Sequence, residues 1–123
     1  MENATLLLVE DDALLQCILA AELKEAGFTI VAMSNGTDAL TELSKEKGNF
    51  KAVVTDVNLG AGPDGWVIGR QARKVVADMP VVYMSGAGNH EWSSKGVPES
   101  VMIAKPFVPG QLTTAISTLI GRR

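Results

Sequence analysis

Residues 53–56 read Val53-Val54-Thr55-Asp56, a short apolar run that ends on a carboxylate. A run of this length, rich in β-branched residues, predicts a buried strand. An acid at its end stands where an open α/β sheet presents chemistry, in the crevice beyond the carboxyl ends of its strands. The rest of the sequence can be ordered by what else reaches Asp56.

Upstream, Leu6-Leu7-Leu8-Val9 is a second continuous apolar run, closed by Glu10-Asp11-Asp12. It predicts a strand buried on both faces. Asp11 or Asp12 can cap the helix that follows and suits its positive end. Leu15, Ile18, Leu19, Leu23 and Ala26 recur close to helical period, and Gly27 stops the helix. Phe28 to Met33 is the second strand, and Ser34-Asn35-Gly36 is a turn and cap. Ala39, Leu40 and Leu43 line the second helix, whose charged last turn, Lys45 to Lys47, precedes Gly48.

The opening stretch, taken from Lys51 to Asp56, comes third. A glycine-rich loop, Asn58 to Gly65, leads into a helix from Trp66 to Val76, with Val67, Ile68, Ala72, Val75 and Val76 on its buried stripe. After Pro80, Val81 to Ser85 is the fourth strand. Glycines and Pro98 interrupt residues 86–100, which leave room for one short helix near Asn89 to Lys95. Val101 to Ala104 is the fifth strand, ended by Lys105-Pro106-Phe107. Pro109 suits the first turn of a last helix, and Leu112, Ala115, Ile116, Leu119 and Ile120 form its buried face. Strand and helix alternate five times, which predicts an α/β fold: a parallel sheet with helices on both faces.

Composition narrows the function classes. At 123 residues the chain makes one domain, residues 1–123, large enough for its own core. A net charge of −3 and the lack of a basic stripe argue against nucleic-acid binding, and Arg122-Arg123 reads as a solvated helix end. Cys17, the single cysteine, cannot form an internal disulfide; it lies beside the buried face of the first helix and is expected to be inert. Met1 to Thr5 carry no basic leader, and no apolar stretch approaches the ~18 residues of a membrane span. A cytoplasmic protein follows as the expectation. So little follows the last helix that no output domain is expected, and the Met1 start favours a free-standing protein.

The predicted strand ends carry the chemistry. The first delivers Glu10 and Asp11, the third Asp56, the fourth Ser85 and the fifth Lys105. In a parallel sheet these ends share one edge. Carboxylates crowded there repel unless a cation joins them, and hard oxygen ligands suit Mg²⁺. That ion, with Lys105 and the Ser85 hydroxyl, would stabilise the oxygens of a phosphoryl group in transfer. A carboxylate can itself be the nucleophile, and Asp56 is the best placed.

Plainer readings compete. Asp12 is expected only to cap the first helix. Ser85 could be a turn serine, and Lys105 a solvated lysine. Gly86-Ala87-Gly88 lacks the lysine and spacing of a nucleotide loop. His90 is expected to be an exposed loop residue. Trp66 and Trp92 fit either packing or a partner surface.

Four motifs in order, Leu7-Leu8-Val9-Glu10-Asp11-Asp12, Val54-Thr55-Asp56, Tyr83-Met84-Ser85-Gly86 and Lys105-Pro106-Phe107, resemble those of response regulator receiver domains over essentially the whole chain. The resemblance implies a doubly wound, flavodoxin-like five-stranded sheet of order 2-1-3-4-5. It implies Asp56 as phosphoacceptor, Mg²⁺ held by Glu10, Asp11, Asp56 and the Asn58 backbone carbonyl, Ser85 as a contact of the phosphoryl group, and Lys105 as its partner or, before phosphorylation, the partner of Asp56. It also implies a cis Lys105-Pro106 bond. The partners it implies are a sensor histidine kinase or histidine phosphotransfer protein as donor, and a downstream protein as target unless the domain is a phosphate sink.

The sequence departs from the usual pattern of these domains. Gly60 stands where many have proline, and the interval from Asp56 to Asp64-Gly65 is one residue longer. Met102 replaces an aromatic residue that changes rotamer on activation, and residues 86–100 are poor in helix signals, so a shortened or irregular fourth helix is expected. Two other readings remain: a phosphohydrolase using an aspartyl-phosphate, against which Asn58 stands where a second acid is needed, and a non-phosphorylated flavodoxin-like binding module, such as a flavin binder, whose anionic cofactor the acidic pocket disfavours.

Overall fold

The computed structural model describes residues 4–45, 49–86 and 89–121. In chain order the elements are β1 (Thr5–Val9), α1 (Ala13–Glu25), β2 (Thr29–Met33), α2 (Gly36–Lys45), β3 (Ala52–Asp56), α3 (Gly65–Val75), β4 (Val81–Ser85), α4 (Trp92–Lys95), β5 (Val101–Ala104) and α5 (Pro109–Gly121). A short 3-10 turn, Asn89–Glu91, leads into α4. The strands form one five-stranded parallel sheet in the order β2-β1-β3-β4-β5. Every strand therefore ends on the same edge, and β3, the strand that ends on Asp56, is the central one.

Why the strands are unbroken apolar runs follows from this layering. A central strand of a doubly wound sheet is covered on both faces, so alternation is lost. All five residues of β3 and of β4 are buried. Alternate residues feed two separate cores. Leu7, Val9, Val53, Val81 and Tyr83 pack under α2 and α3 with Ala39, Leu43, Trp66, Ile68 and Ala72. Leu6, Leu8, Val54, Val82 and Met84 pack under α1 and α5 with Leu19, Leu23, Leu112, Ile116 and Leu119.

Local signals set the helix ends. Asp12 caps α1 by accepting the Leu15 N–H at 3.0 Å, as its sequence position predicts, and Asp64 caps α3 through the Val67 N–H at 3.0 Å. The glycine-rich loop between β3 and α3 turns through Gly60 and Gly62, both at positive φ, and returns so that the Gly65 N–H bonds the Val57 carbonyl at 2.9 Å. The Lys105-Pro106 bond is cis, as the family resemblance implies.

Several expectations are corrected. Ile18 is not part of the buried stripe of α1: it is 50% exposed, because the helix presents Leu19 and Leu23 to the sheet. Cys17 beside it is exposed rather than set against the buried face. On α3 the buried side runs through Trp66, Ile68, Gly69 and Ala72, while Val67, Val75 and Val76 are only partly covered. On that buried side the ring and hydroxyl of Tyr83 lie directly against Gly69; a Cβ at that position would overlap the phenol. Phe28 and Lys51 fall just outside their strands. The expected helix stop at Gly48, Glu46 and Lys47 before it, Ala87-Gly88 and Arg122-Arg123 lie outside the described residues.

The two tryptophans separate here. Trp66 is buried and stacks at a tilt on Tyr83, ring centroids 4.7 Å apart. Trp92 is half open to solvent, and its indole N–H donates to Ser100 Oγ at 2.8 Å. His90 is exposed, as expected. Among the described residues no helix is long and apolar enough to cross a membrane.

Candidate functional site

The carboxyl edge of the sheet opens into a cleft of about 1110 Å³. Asp56 stands at its floor on the last residue of β3, 7% exposed. Glu10, one residue past β1, is fully buried, and Asp11 beside it is exposed. Glu10, Asp11 and Asp56 each offer a carboxylate oxygen, and these oxygens all lie within 4.8 Å of one another.

Lys105 reaches across from the end of β5. Its ammonium donates to Glu10 Oε1 at 2.9 Å and to Asp56 Oδ2 at 2.9 Å. Its place just past the last residue of β5 puts the side chain on the carboxyl edge, within reach of both acids. Ser85, 4% exposed at the end of β4, also lines the cleft, and its carbonyl accepts the Lys105 N–H at 2.8 Å. Asn58 lies on the same rim, with its N–H 3.3 Å from Asp56 Oδ1. Glu10, Asp11, Asp56, Asn58, Ser85 and Lys105 thus line one cleft.

Residues 6–117 match the model of the response regulator receiver domain family. The chain belongs to this family. A response regulator receiver protein from Sinorhizobium medicae WSM419 has a structure similar to this receiver domain at a TM-score of 0.94, with 42% identity over 98% of this chain and 96% of that one. The transcriptional regulatory protein CusR of Escherichia coli K12 is 30% identical over 95% of this chain and 51% of its own length. The receiver domain of the sensor histidine kinase PA1611 from Pseudomonas aeruginosa PAO1 shares the fold at a TM-score of 0.82 and 21% identity, covering 97% of this chain and 98% of that one; that structure has a magnesium ion coordinated in its active site cleft. This receiver domain spans about half the length, or less, of the curated relatives it matches.

The charges of the receiver site are unevenly matched. Three carboxylates face one ammonium, and Asp11 is outside the reach of the hydrogen bonds from Lys105. Burial pushes the Glu10 carboxyl above its usual range, against the opposing pull of the Lys105 hydrogen bond. For Lys105 burial is the largest single influence and acts downward, but the hydrogen bonds to Asp56 and Glu10 and their charges together hold the ammonium above its usual value. An all-oxygen donor set with surplus negative charge and an open, exposed member is what a hard divalent cation requires, so these residues fit Mg²⁺.

Residues that the motif reading did not single out also shape the receiver cleft. Trp66, Glu91 and Lys95 line it. Gln16, on α1, binds the backbone beside the acidic turn: its Nε2 donates to the carbonyls of Glu10 and Met33, each at 3.0 Å. One signal for Gln16 was present. It falls three, four and seven residues before Leu19, Ala20 and Leu23, on the inner stripe of the helix, where a polar side chain needs a partner.

Proposed function

We propose that this receiver domain takes a phosphoryl group onto Asp56 from a phosphohistidine donor. The observation that carries this reading is the Lys105 ammonium held 2.9 Å from both Asp56 and Glu10 in a cluster of three acids. An oxygen of the Asp56 carboxylate attacks phosphorus, the P–N bond breaks, and the imidazole leaves with the electron pair. An acyl phosphate remains on Asp56.

Glu10, Asp11, Asp56 and the Asn58 carbonyl would hold Mg²⁺, which when bound supplies positive charge to the phosphoryl oxygens. Lys105 serves the same end from the other side. It already pairs with Asp56, so it can follow the charge as this moves from carboxylate to phosphoryl oxygen. In this reading the Ser85 hydroxyl, on the cleft wall, donates to that group. The added charge of about −2 then biases the elements at the ends of β4 and β5. The domain catalyses chemistry on itself and turns over no external metabolite.

A protein donor fits the surface beside the cleft. Leu14 and Val108 are 72% and 65% exposed, and an apolar groove of about 360 Å³ runs between Leu15 and Ile18 of α1 and the Pro106-Phe107 turn. Leu15 and Lys105 line both groove and cleft. The donor in this reading is a histidine kinase or phosphotransfer protein, and the output is a protein contact or a phosphate sink, in the cytoplasm. Asn58, standing where a phosphohydrolase needs a second acid, counts against that rival.

Incubation with Mg²⁺ and a small phosphodonor, followed by mapping of the product, tests the proposal. A labile, hydroxylamine-sensitive acyl phosphate on Asp56 is expected, and none on Asp56→Asn. Equal labelling of that variant would overturn the assignment.

A further inference from the structure

We infer that Gln16 is a positioning residue for the acidic turn, holding Glu10 and Asp11 where they can share a divalent cation. This rests on the reading above that those acids bind Mg²⁺. Glu10 and Asp11 lie beyond the last residue of β1, so the sheet ladder no longer dictates their place. What replaces the ladder is a closed set of hydrogen bonds centred on the first turns of α1.

The Glu10 N–H donates to the Met33 carbonyl at 3.1 Å, which ties the turn to the end of β2. Gln16 Nε2 donates to that same carbonyl and to the Glu10 carbonyl, and lies 3.3 Å from Ser34 Oγ. One amide thus joins α1, the end of β1 and the end of β2. On the other side of the turn, the Asp12 N–H donates to Glu10 Oε2 at 3.1 Å while Asp12 Oδ1 caps the Leu15 N–H. Backbone and carboxylate of Glu10 are therefore both fixed from the helix, and Asp11 is strung between two held residues.

The residue type matters. An apolar side chain at position 16 would take from the Glu10 carbonyl the donor Gln16 supplies and leave the Met33 carbonyl with the Glu10 N–H alone, in a part-buried place, which favours a shifted turn. A lysine or arginine could donate, but would bring a positive charge beside a cluster that must attract a cation. Glutamine supplies the donor without the charge. Residues that orient ligands from behind commonly govern metal affinity.

Calorimetric titration of the full chain with Mg²⁺ alone tests this. Gln16→Met, of similar length and without a donor, should bind Mg²⁺ about tenfold more weakly. Gln16→Asn, whose amide is one methylene short, should weaken it as well and decides the matter if the methionine variant does not fold. Ile116→Val, a core change on α5 away from the turn, should lower stability yet bind Mg²⁺ as the wild type does. Wild-type affinity in the folded position-16 variant, or equal weakening in Ile116→Val, would overturn the positioning role while leaving the metal site standing. A wild-type chain that takes up no Mg²⁺ would overturn both.

Discussion

The Lys105 ammonium lies 2.9 Å from Asp56 Oδ2 although forty-nine residues separate the two in the chain. The same ammonium covers Glu10. In the proposed function a divalent cation would share these carboxylates with the lysine, and the first prediction concerns that competition.

Lys105→Met should destabilise the metal-free domain by about 1–3 kcal/mol, less than the loss of a fully buried pair because the ammonium keeps part of its water. The two acids it covered would then repel, and Mg²⁺ should bind more tightly than in the wild type. Urea unfolding with and without Mg²⁺ measures both; weaker Mg²⁺ binding in the variant would contradict the picture of a competing cation.

Mg²⁺ that binds only the folded site must raise stability by mass action. A concentration a hundredfold above the dissociation constant should add about 2.7 kcal/mol. Asp11→Asn removes one of the three clustered carboxylates, and most of this gain should vanish with it. Thermal unfolding across a Mg²⁺ series gives the answer, and an undiminished rise in the variant would take Asp11 out of the site.

Gly69→Ala should destabilise, even though alanine is the better helix former by about 1 kcal/mol. The added methyl would run into the Tyr83 phenol, and overpacking of this kind costs about 1–3 kcal/mol. Combining it with Tyr83→Leu should cost clearly less than the sum of the two single changes. Additive losses in a double-mutant cycle would show that the contact is not the cause.

Tyr83 also predicts a pH dependence. Burial, which outweighs the hydrogen bond its hydroxyl accepts from the Val97 N–H, raises its pKa above the ordinary 10.0. The folded state then holds the proton more tightly than the unfolded chain, so this contribution is complete below pH 10.0 and is lost as the pH rises toward the folded value. Tyr83→Phe should be less stable near neutrality, for want of that acceptor, but should show a shallower decline in alkaline solution. Parallel alkaline slopes in urea melts of the two proteins would refute the assignment.

Much of this was legible in the chain. Leu6 to Val9, Val53 to Asp56 and Val81 to Ser85 announce buried strands because a doubly covered strand has no polar side to alternate with. Glu10, Asp11, Asp56, Ser85 and Lys105 were readable as one site because parallel strands end on one edge, so position along each strand is enough to bring them together. Helix faces were less legible. Ile18 and Val67 look as apolar as Leu19 and Ile68, and only the direction from which the sheet approaches tells them apart.

The sequence by itself thus determined the order of strands and helices and the set of groups aimed at the carboxyl edge, since both follow from local apolar pattern and chain polarity. Only the tertiary structure decided that Lys105 also covers Glu10, that Gln16 ties the acidic turn to β2, and that Trp66 is packed on Tyr83 while Trp92 faces outward. Each of these depends on distances between side chains far apart in the chain, which packing of the two helical layers sets and no local pattern encodes.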